Sequence, residues 1–216
     1  MTNTKNPKSP GYLITFEGGE GGGKTTQIVR LRDKLQQAGK DVLVLREPGG
    51  TVISEQIREV VLSAKNVGMA NTTEVLLFQA ARAQIYRELV LPSLEVGKVV
   101  LMDRSRDSSV VYQGMVRGFG KELIEQLNAI STKETYPDLT FLLDLPVEIG
   151  LDRRVKSGKM DRLDMEDTAF HDKVRQAYLE LAETDTTNRW RVLDASVSVD
   201  DLDAEIWRIV RESLGI

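Results

Sequence analysis

The sequence predicts an α/β fold in which a parallel sheet of five strands carries helices on both faces. Short apolar runs alternate with longer stretches of helical periodicity, and this order is typical of right-handed crossovers between parallel strands. Most of the apolar runs are nearly continuous, as in strands that are covered on both faces. The predicted strands cover residues 12–16, 41–45, 98–102, 139–143 and 191–193.

Stretches with helical spacing separate or follow these strands, and glycines stand just beyond three of them. Gly39, Gly97 and Gly215 occupy positions where a left-handed C-cap is expected. The sequence shows no repeats and no linker, so we expect one domain over residues 11–216. The predicted helices cover residues 26–37, 54–62, 72–94, 121–131, 165–183 and 200–214.

Composition excludes several classes of function. The net charge of −4 argues against broad binding to nucleic acid or to a membrane surface. The absence of cysteine excludes disulfides, thiol catalysis and cysteine-based zinc sites. We expect the only histidine, His171, to lie on the surface. No apolar run is long enough for a membrane helix, and residues 1–10 resemble a flexible tail rather than a signal peptide. We therefore expect a cytoplasmic protein.

A glycine-rich loop between the first strand and the first helix predicts a phosphate site. Residues 18–25 read GGEGGGKT and match the P-loop pattern, although a glycine-rich turn could match it by chance. The glycines let backbone N–H groups converge on phosphate, Lys24 can bridge the β- and γ-phosphates, and Thr25 can ligate Mg²⁺. The predicted ATP-binding residues are Gly18, Gly19, Glu20, Gly21, Gly22, Gly23, Lys24, Thr25 and Thr26.

The loop places the fold among the P-loop NTPases, three-layer sandwiches that include GTPases, motors and kinases. The sequence has no Asn-Lys-x-Asp segment of the kind that guanine-specific GTPases use, and it has no second domain to be driven. Both features favour a kinase. A non-catalytic switch driven by ATP or GTP is the alternative from another class.

One cluster of candidate residues follows the second strand, and another lies on the third predicted helix. Arg46, in the segment REPGGT, ends a strand and can clamp a phosphate, although a basic residue beside a turn is the simpler interpretation. Phe78 and Arg82 share one helix face and can stack on a nucleobase and bond its edge. The alternative is a core Phe78 beside a surface Arg82.

Two further clusters follow the third and fourth strands. Asp103 can hold Mg²⁺ through water, orient the acceptor, or merely cap a helix, and Arg104 can neutralise phosphate. A basic stretch within residues 152–164 predicts a lid that closes over ATP, and a solvated charged face is the alternative. Its cations are Arg153, Arg154, Lys156, Lys159 and Arg162.

Together these segments resemble the bacterial form of thymidylate kinase, a family of P-loop nucleoside monophosphate kinases. The matching segments, in family order, are FEGGEGGGKTT, REPGGT, FQAAR, DRSRDSSVVYQG, YPDLTFLLDLP and DRLDMED. The resemblance implies transfer of the ATP γ-phosphate to dTMP, which gives dTDP and ADP for dTTP synthesis. It also implies Mg²⁺ as cofactor and a homodimer. A kinase for a deoxynucleoside or another nucleoside monophosphate is the closest alternative.

The resemblance also assigns roles around the acceptor base and sugar. Phe78 is expected to stack on thymine, and Arg82 to bond its carbonyl edge. Ser109 and Gln113 are expected to line the base and sugar pocket. Tyr112 is expected to crowd the 2′ position of the sugar and so to favour deoxyribose.

For the phosphates, the resemblance implies that Arg46 and Arg104 hold the monophosphate, and that Glu20 reaches the 3′-hydroxyl. Residues 194–196 are expected near adenine. The sequence departs from the family at Ser105, where an aromatic residue or histidine is usual, and the loop contains no arginine. Lid cations must then reach the γ-phosphate, and both lysine and arginine are candidates. The predicted catalytic residues are Lys24, Asp103, Arg104, Arg153 and Lys159, with Thr25 and Asp103 as metal ligands.

Overall fold

The computed structural model describes residues 10–156, 158 and 161–216, so the predicted tail up to residue 9 and Lys159 lie outside the described residues. Its sheet has five parallel strands in the order β2-β3-β1-β4-β5, which confirms the predicted α/β fold. The strands are β1 (Tyr12–Glu17), β2 (Val42–Arg46), β3 (Val99–Asp103), β4 (Leu139–Asp144) and β5 (Trp190–Asp194).

Helices cover both faces of this sheet. Successive residues of β1 belong to different apolar clusters: Leu13 packs with one face, whereas Ile14 and Phe16 pack with the other. The helices are α1 (Lys24–Gln37), α2 (Val52–Leu62), α3 (Asn71–Ile85), α4 (Leu91–Glu95), α5 (Arg106–Ser109), α6 (Lys121–Thr132), α7 (Val147–Lys156), α8 (Thr168–Glu183) and α9 (Val199–Leu214).

The sheet order brings the functional segments to one edge. β1 lies between β3 and β4, and the register pairs Phe16 with Asp103 and Asp103 with Arg46. The carboxyl ends of β1, β2 and β3 therefore meet beside the loop that joins β1 to α1. This is the position at which open α/β sheets bind ligands.

Two helices were not predicted, and one predicted helix is interrupted. Residues 106–116 form α5 and a π-helical turn (Val110–Val116), so Ser109, Tyr112 and Gln113 lie on helical segments. α7 contains residues 152–156 of the predicted lid. The predicted helix 72–94 is instead α3, a π-helical turn (Tyr86–Val90) and α4.

The prediction that His171 lies on the surface is wrong. His171 lies on α8 and is only 5% exposed, because this part of the helix faces inward. Its ring contacts the ring of Phe170 edge to face at 5.7 Å between centroids. Among the described residues, no helix is long and apolar enough to cross a membrane.

Candidate active site

The glycine-rich loop packs against the backbone of β4 and α7. A Cβ atom on Gly18 would lie 2.6 Å from the carbonyl oxygen of Leu143, and one on Gly21 would overlap the backbone of Gly150. Gly23, at the start of α1, has a φ of 82°, which favours glycine. Close backbone approach therefore requires glycine at positions 18 and 21, and backbone conformation favours it at position 23.

Lys24 and Thr25 begin α1 on the cavity side of this loop. Lys24 is 8% exposed, and its Nζ donates to the carbonyl oxygens of Gly18 at 3.2 Å and Gly19 at 2.7 Å. Burial and the nearby Arg104 cation lower the pKa of Lys24. The ammonium is thus held across the loop, at the wall of the cavity.

Thr25 and Asp103 form the part of the site that suits Mg²⁺. Thr25 Oγ1 donates to Asp103 Oδ2 at 2.6 Å, so both oxygens lie within reach of one ion. Asp103 does not cap α5, whose N-cap is Ser105. No cluster of three or more acidic, histidine or cysteine ligands occurs among the described residues. This donor set fits Mg²⁺, which is usually held by one or two protein oxygens together with phosphate oxygens and water.

Arg104 and Glu20 lie opposite each other at the centre of the site. Arg104 Nη1 donates to Gly18 O at 2.9 Å and to the hydroxyl of Tyr178 at 3.2 Å, and Nη2 pairs with Glu20. Burial favours the neutral form of Glu20, but Arg104, Lys24 and other cations outweigh it and lower its pKa to about 2. Glu20 is therefore an anion near neutral pH.

The backbone of Arg104 is strained. Its φ of 65° lies in the left-handed region, which costs a residue with a Cβ roughly 1 kcal/mol or more. A hydrogen bond from Arg104 N to Phe16 O at 2.9 Å helps to hold this conformation. The strain directs the guanidinium over the loop and the ring of Tyr112, which lies 5.4 Å away.

Arg46 is held by an acidic partner at the end of β2. Its Nη2 donates to both carboxylate oxygens of Glu55, at 3.0 and 2.9 Å, and Glu55 also accepts from the backbone N of Gly50 at 2.7 Å. The Arg46 side chain is 54% exposed, so this ion pair is weak and can yield to a phosphate.

Arg82 is buried, so the alternative of a surface Arg82 is wrong. Its side chain is 1% exposed, and four of its five N–H groups have protein partners. Nε donates to Glu47 at 2.7 Å and Nη1 donates to Ser109 at 2.9 Å. The remaining acceptors are Asn128 Oδ1 and the carbonyl oxygen of Ser105. The polar network fixes the guanidinium directly behind Ser109.

One cavity of about 1320 Å³ joins the glycine-rich loop to the acceptor clusters. Arg82 and residues 194–196 are not among its lining residues, and Arg82 reaches the lining through Ser109. The predicted residues that line the cavity are Glu20, Gly21, Gly22, Gly23, Lys24, Thr25, Thr26, Arg46, Phe78, Asp103, Arg104, Ser109, Tyr112, Gln113, Arg153 and Arg154.

One arginine of the predicted lid bonds to the glycine-rich loop, and two others form ion pairs. Arg153 Nη1 donates to Gly21 O at 3.2 Å. Arg154 pairs with Asp164 at 2.8 Å. Arg162 is 6% exposed and donates to Glu74 at 2.6 Å, so it does not belong to a solvated charged face.

Glu17 and Tyr178 are buried groups of the site to which sequence reasoning assigned no role. Glu17 ends β1 and accepts from Ser105 N at 2.9 Å, Ser108 Oγ at 2.6 Å and Tyr178 OH at 2.8 Å. Burial and the nearby Asp107 raise its pKa to about 7. A carboxylate at the end of an apolar strand was the available signal for Glu17, whereas no local pattern marks Tyr178.

Comparison with known proteins decides the family. The sequence profile described as thymidylate kinase matches residues 16–206. The thymidylate kinase of Deinococcus radiodurans is 48% identical over 204 residues, covering 94% of this chain and 98% of that protein. The chain belongs to the thymidylate kinase family.

Other members of the thymidylate kinase family agree in sequence and in fold. The thymidylate kinase of Alcanivorax borkumensis is 45% identical over 202 residues, covering 94% of this chain and 97% of that protein. The crystal structure of thymidylate kinase from Ehrlichia chaffeensis superposes with a TM-score of 0.76 at 30% identity, covering 93% of this chain and 98% of that one.

Proposed function

We propose that this chain transfers the γ-phosphate of ATP to dTMP, giving dTDP and ADP for dTTP synthesis. The observation that carries this proposal is the single cavity in which the glycine-rich loop faces Arg104, Phe78 and Gln113. The first part binds a triphosphate, and the second part offers an arginine, an aromatic ring and an amide to a nucleotide acceptor. Membership of the thymidylate kinase family names that acceptor.

The reaction needs positioning and charge neutralisation rather than a general base. A phosphate monoester is already largely ionised near neutral pH, so its oxygen can attack the γ-phosphorus in line. Lys24 and Arg153 bond to the glycine-rich loop on the triphosphate side, and Arg104 is assigned to the acceptor phosphate. Mg²⁺, which Thr25 and Asp103 would hold, supplies charge neutralisation at the phosphate oxygens when it is bound.

The acceptor is recognised from three directions. Phe78 stacks on thymine and Gln113 bonds its edge, while Ser109 lines the pocket beside them and Arg82 holds Ser109 from behind. Tyr112 restricts the sugar to deoxyribose, and its hydroxyl has no hydrogen-bond partner among the described residues. For the monophosphate, Arg46 exchanges Glu55 for the ligand when dTMP binds, and Glu20 accepts from the 3′-hydroxyl.

A coupled assay of ADP release tests this proposal with a panel of acceptors. We expect rapid turnover with dTMP and much slower turnover with dGMP, with thymidine and without acceptor. Comparable or faster turnover with thymidine would indicate a nucleoside kinase. A slow rate that no acceptor changes would indicate a nucleotide switch and contradict the proposal.

We also propose that the enzyme is a homodimer, as its resemblance to the family implies. Large apolar side chains are exposed on the neighbouring helices α3 and α6, including Leu76 at 56% and Ile130 at 72%. Light scattering should give twice the chain mass of 24.2 kDa, and Leu76→Glu should reduce it. A monomeric parent protein would contradict this part of the proposal. The cytoplasmic location stays a prediction.

A further inference from the structure

The buried carboxylate of Glu74 on α3 connects the acceptor pocket to the segment that follows α7. Glu74 is 1% exposed. Its Oε1 accepts from the amide nitrogen of Gln113 at 2.8 Å. Its Oε2 accepts from Arg162 at 2.6 Å and from Arg117 at 3.4 Å. Two guanidinium groups thus stabilise an anion whose other oxygen faces a side chain of the cavity wall.

This contact fixes the orientation of the Gln113 amide. A carboxylate accepts hydrogen bonds and donates none, so the nitrogen of Gln113 must face Glu74. Gln113 lines the cavity, and its side-chain amide bonds no other partner among the described residues. Its carbonyl oxygen and second N–H therefore remain for a ligand.

Thymine and cytosine differ in the hydrogen-bonding groups that they would present to this amide. Thymine offers an N3–H donor beside the O4 acceptor, whereas cytosine offers an N3 acceptor beside an amino donor. A fixed carbonyl oxygen accepts from thymine N3–H, but it would face the lone pair of cytosine N3. An amide that was free to rotate could pair with either base.

We propose that Glu74 is a positioning residue that makes the enzyme reject cytosine, because it locks the amide of Gln113 with the carbonyl oxygen toward the base. The inference rests on the proposed dTMP site, in which Gln113 bonds the base. Arg117 and Arg162 hold the Glu74 carboxylate in place by donating to its other oxygen. Arg162 is itself anchored to α2 by donation from Nε to Val61 O at 3.0 Å.

The Glu74→Gln variant tests this positioning role. An amide at position 74 can donate as well as accept, so it no longer fixes the orientation of the Gln113 amide. The measurement compares the Ki of dCMP, as an inhibitor competing with dTMP, with the KM of dTMP. We expect the ratio of Ki to KM to fall about tenfold or more, which is the scale of one buried hydrogen bond. The KM of ATP should stay the same, which a general loss of folded structure would not allow.

Two further variants make the outcome decisive. Glu166→Gln breaks the pair of Glu166 with Arg117 behind Glu74 without touching Gln113, so its ratio should match that of the parent. If Glu74→Gln does not fold, Glu74→Asp keeps the charge for the arginines but shortens the reach to Gln113, and it should lower the ratio as well. An unchanged ratio in the folded Glu74 variant would overturn the inference.

Gln113→Leu separates this inference from the proposed site. Loss of the amide should raise the KM of dTMP and lower the ratio. If Gln113→Leu changes both values and the Glu74 variant changes neither, only the role of Glu74 fails. If Gln113→Leu also changes neither, the proposed placement of the base fails.

Discussion

At the residue scale, the proposed catalysis depends on a few cations whose positions the backbone fixes. Lys24 is held by two carbonyl oxygens of its own loop, and Arg104 is held in a left-handed backbone conformation. Because neither side chain has to search for its position, their charges are preorganised for a phosphate.

Lys24→Ala should lower kcat by about 100- to 1,000-fold, because it removes a preorganised donor on the transferring phosphoryl group. Steady-state kinetics at saturating ATP and dTMP measure the effect. Lys40→Ala serves as a matched control, since Lys40 lies just beyond α1 and away from the cavity. Turnover of Lys24→Ala within a few-fold of that control would contradict the assigned role.

Phe78→Ala should weaken dTMP binding by about 1–3 kcal/mol, the range for stacking of an aromatic side chain on a base. Titration calorimetry with each nucleotide separately measures the effect. ATP affinity should barely change because Phe78 lies on the acceptor side. Equal losses for both nucleotides would place Phe78 in the core.

Glu17→Gln should change the pH dependence of stability. The native pKa of about 7 lies above the ordinary value of 4.5, so the native state keeps a proton that the unfolded chain releases. The contribution of Glu17 is therefore complete below pH 4.5 and is lost as the pH rises toward 7. The variant lacks this loss and should gain roughly 1–3 kcal/mol on the parent between pH 5 and 8.

Urea unfolding of Glu17→Gln and the parent at pH 5 and pH 8 gives this difference. Glu95→Gln, which replaces an exposed carboxylate, is the control. A stability difference between Glu17→Gln and the parent that is the same at both pH values would show that Glu17 does not titrate in this window.

At the element scale, the phosphate loop and α7 are joined backbone to backbone. A Cβ atom on Gly150 would overlap the carbonyl oxygen of Glu20. Arg153, one turn later on α7, donates to Gly21 in the same loop. The position of the helix that leads into the predicted lid is therefore coupled to the loop that is proposed to hold ATP.

Gly150→Ala should lower kcat/KM for ATP by up to about 100-fold, the effect of displacing a positioned group by about 1 Å. Gly68→Ala is the matched control, because its added Cβ meets nothing within 4 Å. Kinetics over a range of ATP concentrations measure both variants. If Gly150→Ala behaves like Gly68→Ala, the contact between α7 and the loop does not position ATP.

The strands were predictable because their signal is local. A strand such as β4 is nearly continuous in apolar residues, and its position in the sequence is fixed by burial on both faces. The helix α5 gives no such signal. Its Arg106 and Asp107 are buried by pairing with Glu125 and Arg189, which are distant in sequence. Tertiary pairing of this kind cannot be read from periodicity.

At the scale of the whole molecule, the sheet order determines which residues meet. REPGGT, the glycine-rich loop and the segment after β3 are far apart in sequence, and the order β2-β3-β1 brings them to one edge. The motifs therefore predicted about half of the residues that line the cavity. They could not show that Arg82 and Glu74 act from behind it, because both depend on partners that only the fold supplies.

The net charge of −4 is compatible with the group of cations at the cavity, because acidic residues pair with several of them. Arg46, Arg104 and Arg162 each pair with a glutamate. Binding of two nucleotides must exchange some of these pairs for phosphate oxygens. Affinity for dTMP should therefore fall as salt increases, through screening of the exposed Arg46 in particular.

Transfer of label from γ-labelled ATP tests the central proposal most directly. Incubation with dTMP and Mg²⁺ should place the label in dTDP, at a rate far above the appearance of labelled inorganic phosphate. Label that appears only as inorganic phosphate, at the same rate with and without dTMP, would contradict the assignment of dTMP as the phosphoryl acceptor.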